Sequence, residues 1–174
     1  MSIQQEIKSQ LAKLLATEDL IVEHKQVETA SFNVETRVLV LPLWEKASSE
    51  VYDMLVAHEV GHALFTPCED WIDRYPEIPP SFVNIVEDAR IEKLMKRKYA
   101  GLPKTFFTGY KELQGMDFFK LSGIDVNEMG IADRLNLYFK IGNFIDIDFT
   151  DHEKTLVIMV KSAESFDDVL EYSK

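Results

Sequence analysis

Two histidines four residues apart, His58 and His62, sit inside a strongly apolar stretch with a glutamate directly after the first. The stretch runs from Val51 to Phe65 and carries Tyr52, Leu55, Val56, Val60, Ala63 and Leu64. Ser48-Ser49-Glu50 before it has the form of a helix start, and Pro67 ends it. On a helix, residues four apart lie one turn apart on the same face. Whatever fold this chain adopts must therefore accommodate two imidazoles side by side on a largely apolar helix. It must also find a role or a partner for Glu59, because a carboxylate among apolar neighbours is costly to bury alone.

That spacing suits a metal. Both imidazoles can reach one tetrahedral ion, and Glu59 stands beside the ion without having to ligate it. A glutamate so placed can take a proton from a water that the metal has acidified. Gly61 leaves room for another element to approach the helix closely. The chain has four histidines in all, so a chance match to this pattern is uncommon. The competing reading is a helix with two hydrogen-bonded histidines and one buried acid.

A catalytic zinc needs a third protein ligand. The residues after His62 are Ala63-Leu64-Phe65-Thr66-Pro67-Cys68, so no third histidine follows at close spacing. Cys68 lies beyond the helix-ending proline and reads better as a small core residue. The next helical stretch supplies acids: Asn84-Ile85-Val86-Glu87-Asp88-Ala89-Arg90-Ile91-Glu92. Glu87 and Arg90 are one turn apart there, as are Asp88 and Glu92. Glu87 is the expected ligand and Asp88 the acid that receives a histidine N–H. The reverse assignment is open on helical geometry, as is a solvated face of ion pairs.

The rest of the chain organises around this pair of helices. Ile3, Ile7, Leu11, Leu14 and Leu15 recur at helical spacing, so residues 2–16 are expected as an amphipathic helix. Residues 20–27 read as a strand. Residues 29–41 alternate Phe32, Val34, Thr36, Val38 and Val40 with polar residues, as one strand or two short ones, stopped by Pro42. Residues 67–80 hold four prolines and read as a loop or short turns. Helices are expected over 81–99, closed by Gly101 and Pro103, then over 105–119, 127–141, from a capping box at Thr150-Asp151-His152-Glu153, and over 166–172. The last segment has no end signal, which reads as a longer native chain.

Composition narrows the partners. With 174 residues and 46% hydrophobic side chains the chain can build a core. The net charge of −11 argues against nucleic acid and against anionic membranes as partners. No apolar run is long enough to span a bilayer, and the N-terminus lacks the apolar core of a signal peptide. A single cysteine excludes an internal disulfide and suits a reducing compartment. A cytoplasmic protein is expected.

The zinc motif followed by Asn-x-x-Glu-Asp-x-Arg-Ile-Glu resembles the gluzincin clan of metallopeptidases. It is similar to minimal gluzincin domains of phage and bacterial proteins, some of which continue into a von Willebrand factor A domain. The cobalt-chelatase subunit family carries a similar Glu-Asp-x-Arg-Ile-Glu stretch. The resemblance covers about residues 29–111. It implies peptide-bond hydrolysis with zinc held by His58, His62 and Glu87, and Glu59 as the base. It also implies a sheet edge, built from Phe32, Val34, Thr36 and Val38, that binds an extended peptide or protein substrate. A host compartment would be the cytoplasm, including that of a phage-infected bacterium. Larger gluzincins have an evident downstream His or Tyr for the oxyanion; here Tyr110, His152 and Tyr99 are the candidates.

The expected fold is α+β and zincin-like: mostly helical, with a small N-terminal mixed sheet of three or four strands packed on the zinc helix. Residues 1–120 would form the metallopeptidase core and 121–174 a helical extension packed on it. The alternative is a vestigial or structural zinc module serving assembly or partner binding. His24 reads as a surface histidine. Phe106, Phe107, Tyr110, Phe118 and Phe119 read as core. Asp146, Asp148 and Asp151 lack the spacing of a calcium loop. Asp70, Asp73 and Glu77 read as a solvated loop.

Overall fold

A computed structural model describes residues 2–45 and 47–174. The fold is α+β and mostly helical, with one three-stranded mixed sheet. Contacts along the chain divide it into two units, Met1–Cys68 with Leu94–Gly109, and Glu69–Lys93 with Tyr110–Lys174. This division does not coincide with the expected boundary at residue 120. Among the described residues, no helix is long and apolar enough to cross a membrane.

The first unit opens with α1 (Ile3–Ala16), closed at its start by a reciprocal Ser2–Gln5 capping box. α1 packs on α2 (Ser49–Phe65), but not by the expected apolar stripe. Ile7 and Leu14 are exposed, while Ala12, Ala16, Lys8 and Ser9 are buried. The reason is a polar anchor. Lys8 Nζ donates to Asp53 Oδ1 at 2.5 Å, to Ser49 Oγ at 2.7 Å and to the Ser49 carbonyl at 3.2 Å. Three acceptors satisfy the three donors of the ammonium, so its face of α1 turns inward.

The sheet runs in the order β1 (Ile21–Lys25), β3 (Val38–Pro42), β2 (Ser31–Asn33). β1 lies parallel to β3, and β2 antiparallel to it. The alternating stretch 29–41 is thus a hairpin, the second of the two readings its pattern allows. Asn33 makes the turn: its Oδ1 accepts from the Glu35 and Thr36 backbone N–H groups at 2.9 and 2.7 Å. Arg37 then takes a left-handed conformation, φ 58°, and its N–H returns to the Asn33 carbonyl. Leu39 and Leu41 are fully buried, and α2 packs against β2 and β3.

α2 is capped by the Ser48 hydroxyl, which accepts from the Val51 N–H at 3.2 Å. Its buried residues Val51, Met54, Leu55, Val56, Ala57, Val60 and Gly61 go round most of the helix. That is why the stretch is apolar on nearly every face. Arg37 ties the far end of α2 to the hairpin, donating to the Ala63 carbonyl at 2.8 Å while pairing with Glu18. A cation at a helix C-terminus also meets the favourable end of the helix dipole.

α4 (Pro80–Lys98) begins on a proline, and the division between the units passes through it. α5 (Leu102–Gly115) begins earlier than expected. Pro103 lies in its first turn, where a missing N–H leaves no bond unmade, and so it opens this helix instead of closing the last. α5 approaches α2 closely at Gly109, where a Cβ would lie 2.5 Å from Met54 Cβ.

In the second unit, a four-residue helix, α3 (Trp71–Arg74), interrupts the proline-rich stretch. α6 (Ile131–Ile141), α7 (Asp151–Ser162) and α8 (Phe166–Tyr172) follow; α7 and α8 both start on capping boxes, at Thr150 and Ser165. Ile78, Val83 and Val86 share a buried cluster with Val160, Ala163, Val169 and Leu170. The C-terminal helices therefore share a core with the first half of α4.

Candidate metal centre

The apolar packing of α2 fixes the backbone that carries His58 and His62. Their rings stand edge to face with centroids 5.2 Å apart. His62 Nδ1 lies 2.9 Å from Thr66 Oγ1, one turn on. With the ring N–H donated to that hydroxyl, Nε2 carries the lone pair, the state a metal requires. Glu59 is 7% exposed, so the acid between the histidines is buried as the sequence suggested.

α4 carries the acids, and they divide in an order the sequence left open. Glu87 is clamped: Arg90 Nε donates to Oε2 and Nη2 to Oε1, each at 2.7 Å. Asp88 Oδ2 accepts from Lys140 Nζ on α6 at 2.8 Å. His58, His62 and Asp88 are the described residues whose ligand atoms converge, all lying within 4.8 Å of one another. Glu87, the expected third ligand, is outside this group, and Asp88, the expected alternative, is in it. Both Glu87 oxygens accept guanidinium hydrogens from Arg90.

Tyr110 donates its one hydroxyl proton to Glu92, and Tyr99 donates its own to the Leu15 carbonyl at 2.6 Å. His152 is exposed in the first turn of α7, and Cys68 is exposed as well, not a core residue. The expected substrate edge also changes. Val34 and Thr36 lie in the turn, and Val38 belongs to β3, which is paired on both sides. A central strand has no free backbone groups to offer a peptide. Of the four residues only Phe32 lies on an edge strand, the three-residue β2.

His24 is not a surface residue. It lies half-buried in β1, with Nε2 3.2 Å from Ser9 Oγ, and burial holds its imidazole below the ordinary histidine range. Asp70, Asp73 and Glu77 are exposed, as expected of a solvated loop. Two partners escaped sequence reasoning. Thr66, four residues after His62, was visible as an i,i+4 neighbour that could orient the ring. Lys140 was not, because 52 residues separate it from Asp88 and no local pattern joins them.

Two imidazoles and one carboxylate form a group that could hold a metal ion. Searches with protein-family models, among curated proteins and among solved structures find no match to this chain.

Proposed function

We propose that this chain is a zinc-dependent hydrolase of peptide bonds, with His58, His62 and Asp88 as metal ligands and Glu59 as general base. The observation that supports the reading is the grouping of those three ligand atoms within 4.8 Å of one another, two of them on the helix that buries Glu59. When bound, the ion would supply Lewis acidity, both to lower the pKa of a water and to polarise the scissile carbonyl. The chain's own residues do the rest. His58 and His62 would hold the ion, and the Thr66 hydroxyl lies 2.9 Å from His62 Nδ1, where it can orient the ring. Glu59 accepts the proton of the attacking water and passes it to the departing amine. The substrate is a peptide or protein segment met in the cytoplasm.

Elemental analysis and a peptide-library cleavage assay test the reading together. Wild-type protein supplied with zinc is expected to hold one equivalent and to cleave peptides. Glu59→Gln should keep the zinc and lose cleavage by about 10²- to 10⁴-fold, the usual contribution of a general base. Asp88→Ala and His58→Ala should lose both. Zinc-free wild-type protein, or cleavage that survives Glu59→Gln, overturns the proposal. Zinc retained with no cleavage of any peptide returns the chain to a metal-binding module.

A further inference from the structure

Lys140 on α6 places its ammonium 2.8 Å from Asp88 Oδ2. Both side chains are mostly withdrawn from water, at 20% and 19% exposure. Charges so placed are screened less than surface pairs. A carboxylate has two oxygens, and a metal needs only one of them, so Asp88 can face an ammonium and an ion together. The two cations then compete for one negative charge.

We infer that Lys140 is a built-in counter-cation that shares Asp88 with the divalent ion and keeps that ion loosely held and exchangeable. The inference rests on the metal-site reading above. Without the ion, Lys140 neutralises Asp88 and holds its carboxylate in place. With the ion, the ammonium draws charge from the ligand oxygen and repels the dication, so each bound ion meets an opposing charge. The ligand set brings one carboxylate charge, already partly spent on a lysine. A site of this charge balance holds zinc more weakly than the same ligands would alone.

The test is zinc affinity by competition with a chromophoric chelator, on wild type, Lys140→Met, Lys140→Arg and Asp88→Asn, alongside thermal unfolding of each with and without zinc. Lys140→Met is expected to bind zinc about tenfold more tightly than wild type. Lys140→Arg should stay near wild type, because it keeps the charge. The apo form of Lys140→Met should melt lower than apo wild type, and zinc should raise its melting temperature by more. A merely structural lysine would lower both forms alike. Unchanged or weaker binding by Lys140→Met overturns the inference and leaves the metal site standing. Failure of wild type to bind zinc, or binding unaffected by Asp88→Asn, removes the site itself and the inference with it.

Discussion

Arg90 grips Glu87 through two parallel hydrogen bonds of 2.7 Å, with both side chains 4% exposed, one turn apart on α4. Such a fork is the strongest geometry available to a carboxylate and a guanidinium. Removing one partner leaves the other charge buried. Arg90→Ala is therefore expected to destabilise the fold by about 3–5 kcal/mol, read as a fall in the urea midpoint. Arg90 also donates to the Glu164 carbonyl at 3.3 Å, so part of that loss is a second hydrogen bond. Replacing both residues with methionine should recover much of the stability, because no charge is then stranded. If the double variant is as unstable as Arg90→Ala, the pair is not the cause.

Thr66 is the next residue whose role can be measured. Its hydroxyl lies 2.9 Å from His62 Nδ1, and it also stands at the C-cap of α2. Thr66→Val keeps the shape and removes the acceptor. Zinc affinity should fall by about tenfold, the lower end of what outer partners of metal-bound histidines contribute. Thr66→Ser should bind as wild type does. Equal affinity in Thr66→Val would show that the ring is oriented by packing instead.

Gly109 offers a test of helix packing. A Cβ there would meet Met54 Cβ at 2.5 Å, and Met54 is buried on α2. That contact is with the root of a side chain, so rotation cannot relieve it. Gly109→Ala should destabilise by about 1–3 kcal/mol, although alanine is the better helix former. Gly115, at the end of the same helix, has nothing within 4 Å of such a Cβ. Gly115→Ala should be neutral or stabilising by up to about 1 kcal/mol. Chemical denaturation of the two variants separates packing from propensity.

What the sequence disclosed and what it hid follow one physical division. Local signals were legible: the caps at Ser48, Thr150 and Ser165 and the spacing of His58 and His62 all depend on residues within one turn of each other. The mixed sheet and the mostly helical α+β class could also be read, from alternation and periodicity. The order β1-β3-β2 could not, because strand order depends on pairings that alternation does not encode. The exposure of Ile7 and Leu14 was hidden for a similar reason. It follows from Lys8 finding Asp53, 45 residues away. Which acid Arg90 would take was not legible. The Glu87–Arg90 spacing was visible, but helical geometry also allowed Asp88 to pair with its neighbours.

Glu153 gives the chain an acid-sensitive joint in its second unit. Arg134 donates through Nη2 to one carboxylate oxygen and through Nη1 to the other at 3.2 Å. The Thr150 backbone N–H adds a bond of 2.8 Å and its hydroxyl one of 3.1 Å. Led by the Arg134 bonds, these donors hold the carboxyl down at about 2, against an ordinary value of 4.5. The sign is then fixed. A carboxylate whose folded pKa lies below its unfolded one adds stability above the unfolded value. That contribution drains away as the pH falls from 4.5 toward 2. Melting temperature measured across that window should fall more steeply for wild type than for Glu153→Gln, which cannot titrate. Above about pH 6 the gap between the two should be constant, since both states are then ionised. Parallel curves from pH 5 to pH 2 would mean that Arg134 does not hold Glu153 in solution.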